Sequence, residues 1–512
     1  MDKIVTRSNF KTTIKTELNR QGKTIALCHG VFDLVHPGHI IHLEQAKKMA
    51  DILVVSVTAS KYVRKGPDRP YFDDAMRMKV LEALECVDYV ILSESYTVDD
   101  IIECVEPDIY VKGEEYADAE NDITGKIVEE KALVERYGGR LGFTTGQTFS
   151  STRLINTAMS GLSDEVRAYM EDFKVRHDIK EIRDYAERTR NLKVLVVGDI
   201  IIDQYTYCNV QGLMSKDMGY SARFAYSEKY AGGSAAIARH LSTFSEHVTL
   251  MSIMGNEEDK RALLEKEVLE SKIKLWLLHS SRFPTIVKHR YLTRNEKREE
   301  YKKIFAINNI PDNMIYEEEV YTKFKQGLQE NVKKYDVVFL CDFGHGLIDQ
   351  ETMDIIQENA KYLILNCQTN SSNKGLNNIT KYTKADAFSL DQQELKLAFP
   401  QYVMNEKEGL KQLSNHLGGG YGWLTRGPKG AFEICGNKIS ECPAFVLSVK
   451  DTVGAGDAFF AIAGIFAAAG APMEIGTFMG NIGGALGANI VGNKEAVKKV
   501  NVLKYANTLL NV

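Results

Sequence analysis

Hydrophobic positions fall along the chain in three rhythms. Short, nearly continuous apolar runs occur at residues 23–28, 52–57, 109–111, 193–197 and 337–340, and runs of this length read as buried strands. A helical pattern follows His39 and continues to Ala50, so the first two runs, with the Gly-containing turn between them, form a βαβ unit. The loop at the carboxyl end of its first strand is where open α/β sheets hold ligands. In the second rhythm Val166, Tyr169, Met170, Phe173, Ile179 and Ile182 recur at helical spacing in a charged stretch. They predict one or two amphipathic helices packed on a domain or on a second subunit. In the third, residues 205–230 alternate tyrosine, polar and small residues, which suits the strands of a lid. Residues 285–295 alternate too, either completing that lid or forming a solvated strand face. The run at 458–469 is almost wholly apolar, is punctuated by Gly464 and is too short to span a bilayer, so it predicts a buried helix.

A chain of 512 residues predicts about three domains. The charged helical stretch divides it into residues 1–160, a connector at 161–192, and residues 193–512. The net charge of −5 and the scatter of basic residues exclude a nucleic-acid footprint. Eight cysteines without a C-x-x-C pair argue for free thiols in a reducing compartment and against a zinc site. The first fifteen residues lack the apolar stretch of a secretory signal, so the expectation is a cytoplasmic protein with no membrane partner.

The sharpest chemistry lies in Asp451-Thr-Val-Gly-Ala-Gly-Asp457, immediately before the predicted buried helix. The turn Gly454-Ala455-Gly456 leaves backbone N–H groups unpaired at a helix N-terminus, which holds a phosphate. Asp457 stands at the mouth of that anion site, where a base taking a proton from an attacking hydroxyl must be. This segment resembles the signature of the ribokinase-like carbohydrate kinases. The resemblance implies an α/β domain with a small β lid and an ATP-dependent kinase. It places Asp203, Gly232, Gly233 and Asp342 around the acceptor sugar, with Arg290 (beside Lys288 and Arg294) on a sugar phosphate. It puts Thr425 and Gly427 near nucleotide phosphate, and residues 482–493 near the adenine.

After the first strand comes His29-Gly30-Val31-Phe32-Asp33, then His36-Pro37-Gly38-His39 at the start of a helix. Two imidazoles at i and i+3 can point at one phosphate, and Gly38 lets backbone approach it. Such donors stabilise the charge that grows on phosphate oxygens in the transition state. The pattern resembles the nucleotidyltransferase superfamily, whose fold is a Rossmann-like sheet. That resemblance implies nucleotide-binding roles for Gly30, Phe32, Asp33, Gly38, Lys65, Arg77 and the Ser150-Ser151-Thr152 helix start, with Lys112 joining His36 and His39 in catalysis.

Together the two halves resemble the bifunctional heptose 7-phosphate kinase/heptose 1-phosphate adenylyltransferases, with the order of the halves reversed. The resemblance implies Mg2+ and ATP as cofactors, a sugar or sugar phosphate as substrate, and a homo-oligomer. CTP is the alternative for the N-terminal half, because its Ser/Thr segment is also close to glycerol 3-phosphate cytidylyltransferases. Three departures bear on the kinase half. The magnesium segment reads Asp391-Gln-Gln-Glu394 where the family has asparagine first. Residues 365–370 replace an Asp-Pro-Lys, and Ala236 replaces an asparagine. They leave open a degenerate kinase half acting as a binding or oligomerisation module.

Overall fold

A computed structural model of the chain describes residues 3–63, 70–113, 127–144, 163–216, 218–295, 300–311, 316–370, 373, 375–402, 405–445 and 449–511. The chain divides into two compact units, one of Met1–Leu162 with Leu503–Val512 and one of Ser163–Val502.

In the N-terminal unit the strands are β1 (Ile4–Val5), β2 (Ile25–Gly30), β3 (Ile52–Thr58), β4 (Tyr89–Ser93), β5 (Ile109–Gly113) and β6 (Arg140–Thr144). They form one parallel sheet in the order β1-β4-β3-β2-β5-β6. Successive side chains of a strand point to opposite faces, and here each face has its own core. Ile25, Leu27 and Val54 pack with Phe10, Ile101 and Tyr110. Ala26, Cys28, Leu53, Val55 and Val57 pack with Leu43, Leu81 and Val90. This explains why the strands read as continuous apolar runs. The helix Pro37–Lys48 follows β2 and begins with proline, whose fixed φ suits a first helical position.

The C-terminal unit is built on β7 (Lys193–Gly198), β8 (Ile200–Leu213), β9 (Tyr220–Gly233), β10 (His247–Gly255), β11 (Lys274–Ser280), β12 (Ile286–Asn295), β13 (Glu300–Asn309), β14 (Val337–Asp342), β15 (Leu363–Cys367), β16 (Ala387–Asp391), β17 (Tyr421–Thr425), β18 (Ala431–Cys435) and β19 (Lys438–Cys442). Nine of these make a sheet in the order β11-β10-β7-β14-β15-β16-β17-β18-β19, parallel from β11 to β17. The remaining four form the lid, β13-β12-β8-β9, so residues 286–295 do complete it. The inner half of β8 is buried and its outer half exposed, as a strand leaving the core requires.

The apolar run after Asp457 is the helix Ala455–Ala468, buried from Ala458 to Ala467. The expected connector is two helices, Asp164–Arg176 and Ile179–Arg188. Their apolar stripe turns inward: Phe173 stacks on Phe478 with ring centroids 4.4 Å apart. These helices belong to the C-terminal unit, and Leu503–Val512 group with the N-terminal one. Among the described residues no helix is long and apolar enough to cross a membrane.

Candidate active sites

The C-terminal site is a cavity of about 260 Å³ where β8, β12, β15, β16 and the start of the Ala455–Ala468 helix converge. Gly454 caps that helix with φ +81°, a left-handed conformation that favours glycine. The helix therefore opens at Gly456 and Asp457, whose N–H groups lie in the first turn, where no preceding helical carbonyl exists to receive them. Burial pushes the Asp457 carboxyl up to about 6, opposed by a hydrogen bond from Gln368. Gln368 Nε2 donates to Asp457 Oδ1 at 2.9 Å.

Across the cavity, Asp203 is buried and pairs with Arg290. Its other oxygen accepts from Asn493 Nδ2 at 2.7 Å. A Cβ on Gly232 would fall 2.1 Å from Asp203 Oδ2, so only glycine admits this carboxylate. Gly233 also lines the cavity, at φ +58°. Lys288 lines the same wall, and among the described residues its ammonium has no ion-pair partner. Burial lowers its pKa.

Asp391 and Glu394 line the third side. They form a capping box: Asp391 Oδ1 accepts from Glu394 N–H at 2.8 Å, and Glu394 Oε2 from Asp391 N–H at 2.8 Å. Glu394 Oε1 accepts from Thr369 N–H at 3.0 Å, so both its oxygens are committed to backbone. Burial, then the charge of Asp391, pushes its carboxyl up to about 8. The capping box orients Asp391 and leaves Glu394 lining the cavity with one backbone N–H on each oxygen. Thr425 lines the cavity, its hydroxyl donating to the Leu390 carbonyl at 3.3 Å. Gly427 starts a short 3-10 turn with open space beside it.

Asp342 is a correction. Its carboxylate accepts from Tyr382 at 2.7 Å, Asn377 at 3.2 Å and Gly344 N–H at 2.9 Å, and pairs with Lys381 at 2.6 Å. It is 2% exposed, so it braces the loop after β14 and does not face a sugar. Residues 482–493 end on the acceptor side, since Asn493 holds Asp203.

In the N-terminal unit, β2 ends at Gly30, where a Cβ would lie 3.1 Å from the Phe32 ring. Phe32 itself takes φ +49°, and its ring meets His39 edge-on at 5.4 Å. The rings of His36 and His39 stack at 4.0 Å, one at the N-cap and one in the first turn of the Pro37–Lys48 helix, with Gly38 between them. Neither ring nitrogen of His36 has a hydrogen-bond partner among the described residues. Burial lowers its pKa, so it is a neutral imidazole at pH 7.

One residue expected to bind nucleotide here is structural. Arg77 is 1% exposed and spends all five N–H donors within the protein. They go to the carbonyls of Phe72, Val31 and Thr58, to Ser60 Oγ and to Asp74. Asp33 Oδ1 accepts from the N–H groups of Tyr71 and Phe72, at 2.7 and 3.1 Å. Both residues fasten the loop around the histidines. Lys112 ends on β5 and pairs with Glu130 at 2.8 Å. Lys65, Ser150, Ser151 and Thr152 lie outside the described residues.

The sequence reading did not single out Gln368, Asn366 or Asn493 as site residues. The signal for the first two was residues 365–370, noticed only as a departure.

Residues 27–157 match the family model described as Cytidylyltransferase-like, and residues 191–489 match that of the pfkB family carbohydrate kinases. The chain is 38% identical over 141 residues to the bifunctional protein HldE of Syntrophotalea carbinolica, covering 27% of each chain. It is 39% identical over 147 residues to HldE of Desulfatibacillum aliphaticivorans, covering 28% of this chain and 29% of that one. The match thus spans little more than a quarter of those relatives, and it falls on the N-terminal part of this chain. Among solved structures, ribokinase of Thermotoga maritima gives a TM-score of 0.48 at 15% identity, covering 62% of this chain and 99% of that one. Phosphofructokinase-2 of Escherichia coli gives 0.49 at 13%, covering 62% and 98%.

Proposed function

The chain belongs to the pfkB family of carbohydrate kinases, and from that premise we propose that its C-terminal unit transfers the γ-phosphate of ATP to a sugar phosphate. The observation that carries the proposal is Asp457 at the open first turn of a helix, in one cavity with Asp203, Arg290 and Lys288. The acceptor hydroxyl loses its proton to Asp457 as its oxygen bonds the γ-phosphorus, and the bond to the departing ADP oxygen breaks. The first-turn N–H groups receive the charge on the transferring group. Asp203, held by Arg290 and Asn493, accepts from sugar hydroxyls. Lys288, half-buried in the cavity wall with no direct ion pair among the described residues, supports an acceptor that carries its own phosphate. Asp391 Oδ2 fits a magnesium-bound water. Bound with ATP, magnesium neutralises phosphate charge.

The N-terminal unit joins a sugar 1-phosphate to a nucleotide and releases pyrophosphate, with His36 and His39 donating to the reacting phosphate. The stacked imidazole pair at a helix N-terminus supports this. On this reading the substrates are a heptose 7-phosphate, then a heptose 1-phosphate with ATP, and the partner is a second copy of the chain. ADP release from a panel of sugars and sugar phosphates tests the kinase. Pyrophosphate release with each of the four NTPs tests the transferase and separates ATP from CTP. Given heptose 7-phosphate, ATP and magnesium, the protein should stop at the bisphosphate by mass spectrometry. Nucleotide-sugar should follow only when a phosphatase is added, and its formation from a free sugar without one would refute the sugar-phosphate acceptor.

A further inference from the structure

The base of the C-terminal site is held by a chain of amides whose direction is forced. Asn366 lies on β15 and is buried. Its Nδ2 donates to the Ser389 carbonyl of the neighbouring strand at 2.9 Å. A carbonyl can only accept, so this contact fixes which way the Asn366 amide faces and turns Oδ1 toward Gln368. That oxygen can only accept in turn, and Gln368 Nε2 donates to it at 2.8 Å. The second N–H of the same Nε2 goes to Asp457 Oδ1 at 2.9 Å. The backbone of Gln368 is pinned on both sides: its N–H donates to the Asp342 carbonyl at 2.8 Å, and its carbonyl accepts from Asn377 at 3.0 Å.

We infer that Gln368 is the positioning residue of the phosphoryl-transfer site, locked by Asn366 so that it donates to one oxygen of Asp457 and reserves the other for the acceptor's proton. The inference rests on the kinase reading of this site. Physically, a donor with no freedom to rotate favours the ionised carboxylate, the form a base needs, and holds its plane. An amide free to flip could present its oxygen instead and repel the carboxylate. Burial and then the charge of Asp203 push Asp457 up to about 6, opposed first by the Gln368 bond and then by the charges of Lys288 and Arg290. Without that bond the carboxyl would hold its proton further into the neutral range.

The test uses the full chain with ATP, magnesium and a panel of sugar phosphates, comparing wild type with Gln368→Met, which keeps length and removes the donor. The acid limb of kcat/KM should move up by roughly one pH unit, so activity falls about tenfold on the acid side and less at alkaline pH. KM for ATP should hold. An unmoved limb, or equal loss at every pH, would overturn the inference. A measurement on the wild-type protein covers the case where the variant misfolds. With 15N-glutamine labelling, the Gln368 side-chain amide should titrate with Asp457, and the titration should vanish in Asp457→Asn. An amide that ignores pH in the wild type rules the relay out. If no panel member is phosphorylated, the kinase reading fails on its own, while the NMR titration still decides whether Gln368 is coupled to Asp457.

Discussion

The two units treat the cations beside their sites in opposite ways. In the N-terminal unit Arg77 is saturated, its donors spent on Val31 in the loop before the histidines and on Thr58, Ser60, Phe72 and Asp74. In the C-terminal unit Lys288 is half-buried in a cavity wall, near the carboxylates of Asp203, Asp457 and Asp199 but in direct ion pair with none among the described residues. A buried guanidinium with five partners is a brace, because nothing remains for a ligand to replace. A half-buried ammonium with no direct ion pair keeps its donors for an arriving anion, which is the condition of a binding group. Burial and positive charge alone therefore do not mark a site. What distinguishes the two is whether the protein has already satisfied the group.

The largest effect should come from Asp457→Asn, which keeps the shape and removes the base. Phosphoryl transfer should fall by about 10²–10⁴-fold, read as ADP release, while nucleotidyl transfer by the same protein is unchanged. A variant that keeps more than a few per cent of kcat would make Asp457 structural. The same substitution has a pH signature in stability. The folded-state pKa of Asp457 is raised from 3.8 to about 6, so the folded protein holds this proton more tightly than the unfolded chain. Its contribution to stability is complete below about 3.8 and is lost as pH rises through about 6. Asn does not titrate. The Tm of Asp457→Asn relative to wild type should therefore climb between those limits and level off above them.

Next in size, His36→Ala or His39→Ala should reduce nucleotidyl transfer by roughly 10²–10³-fold, the scale of losing one preorganised donor. ADP release by the kinase unit should not change. Loss of both activities in a folded protein would break the separation of the two sites.

Arg77→Met would test the brace directly. It takes the donor from three backbone carbonyls, while Asp74 keeps its bonds from Ser60, and a buried acceptor left unpaired costs about 1–3 kcal/mol. Calorimetry should show the N-terminal unit melting earlier, with pyrophosphate release falling in step with the folded fraction. A fully stable variant with raised KM for nucleotide would restore Arg77 as a ligand.

The sheet strands and the helix after Asp457 were legible because their signal is local: apolar runs with turn residues between them. Asp203, His36, His39 and Asp457 stand out in the sequence because motif and element coincide. The roles of Arg77, Asp342 and Glu394 were not legible, since each depends on which backbone groups come within 3.5 Å after folding. Asp391-Gln-Gln-Glu394 shows the difficulty: the spacing that suggests a metal pair is also that of a capping box, which the fold forms. The role of Gln368 does not show in residues 365–370 because its partner Asp457 lies 89 positions away in sequence.

The smallest effect concerns the lid, and it sharpens the contrast between satisfied and waiting cations. Lys303, on lid strand β13, reaches Asp451 Oδ1 at 3.1 Å and is 41% exposed. Asp451 does not depend on it, because its carboxylate also accepts from the N–H groups of Val453 at 3.2 Å and Gly492 at 3.0 Å. Lys303→Met should therefore leave the anion loop and Tm almost unaltered. What it removes is a tie between lid and loop, and an exposed pair of this kind contributes about 0.2–1 kcal/mol. If the tie favours the closed lid, the KM for the acceptor should rise by about 1.4- to 5-fold, with kcat held. Salt screens exposed charges, so the difference between variant and wild type should shrink as ionic strength rises. A salt-independent rise in KM would mean that Lys303 contacts the acceptor itself, placing a second waiting cation beside Lys288.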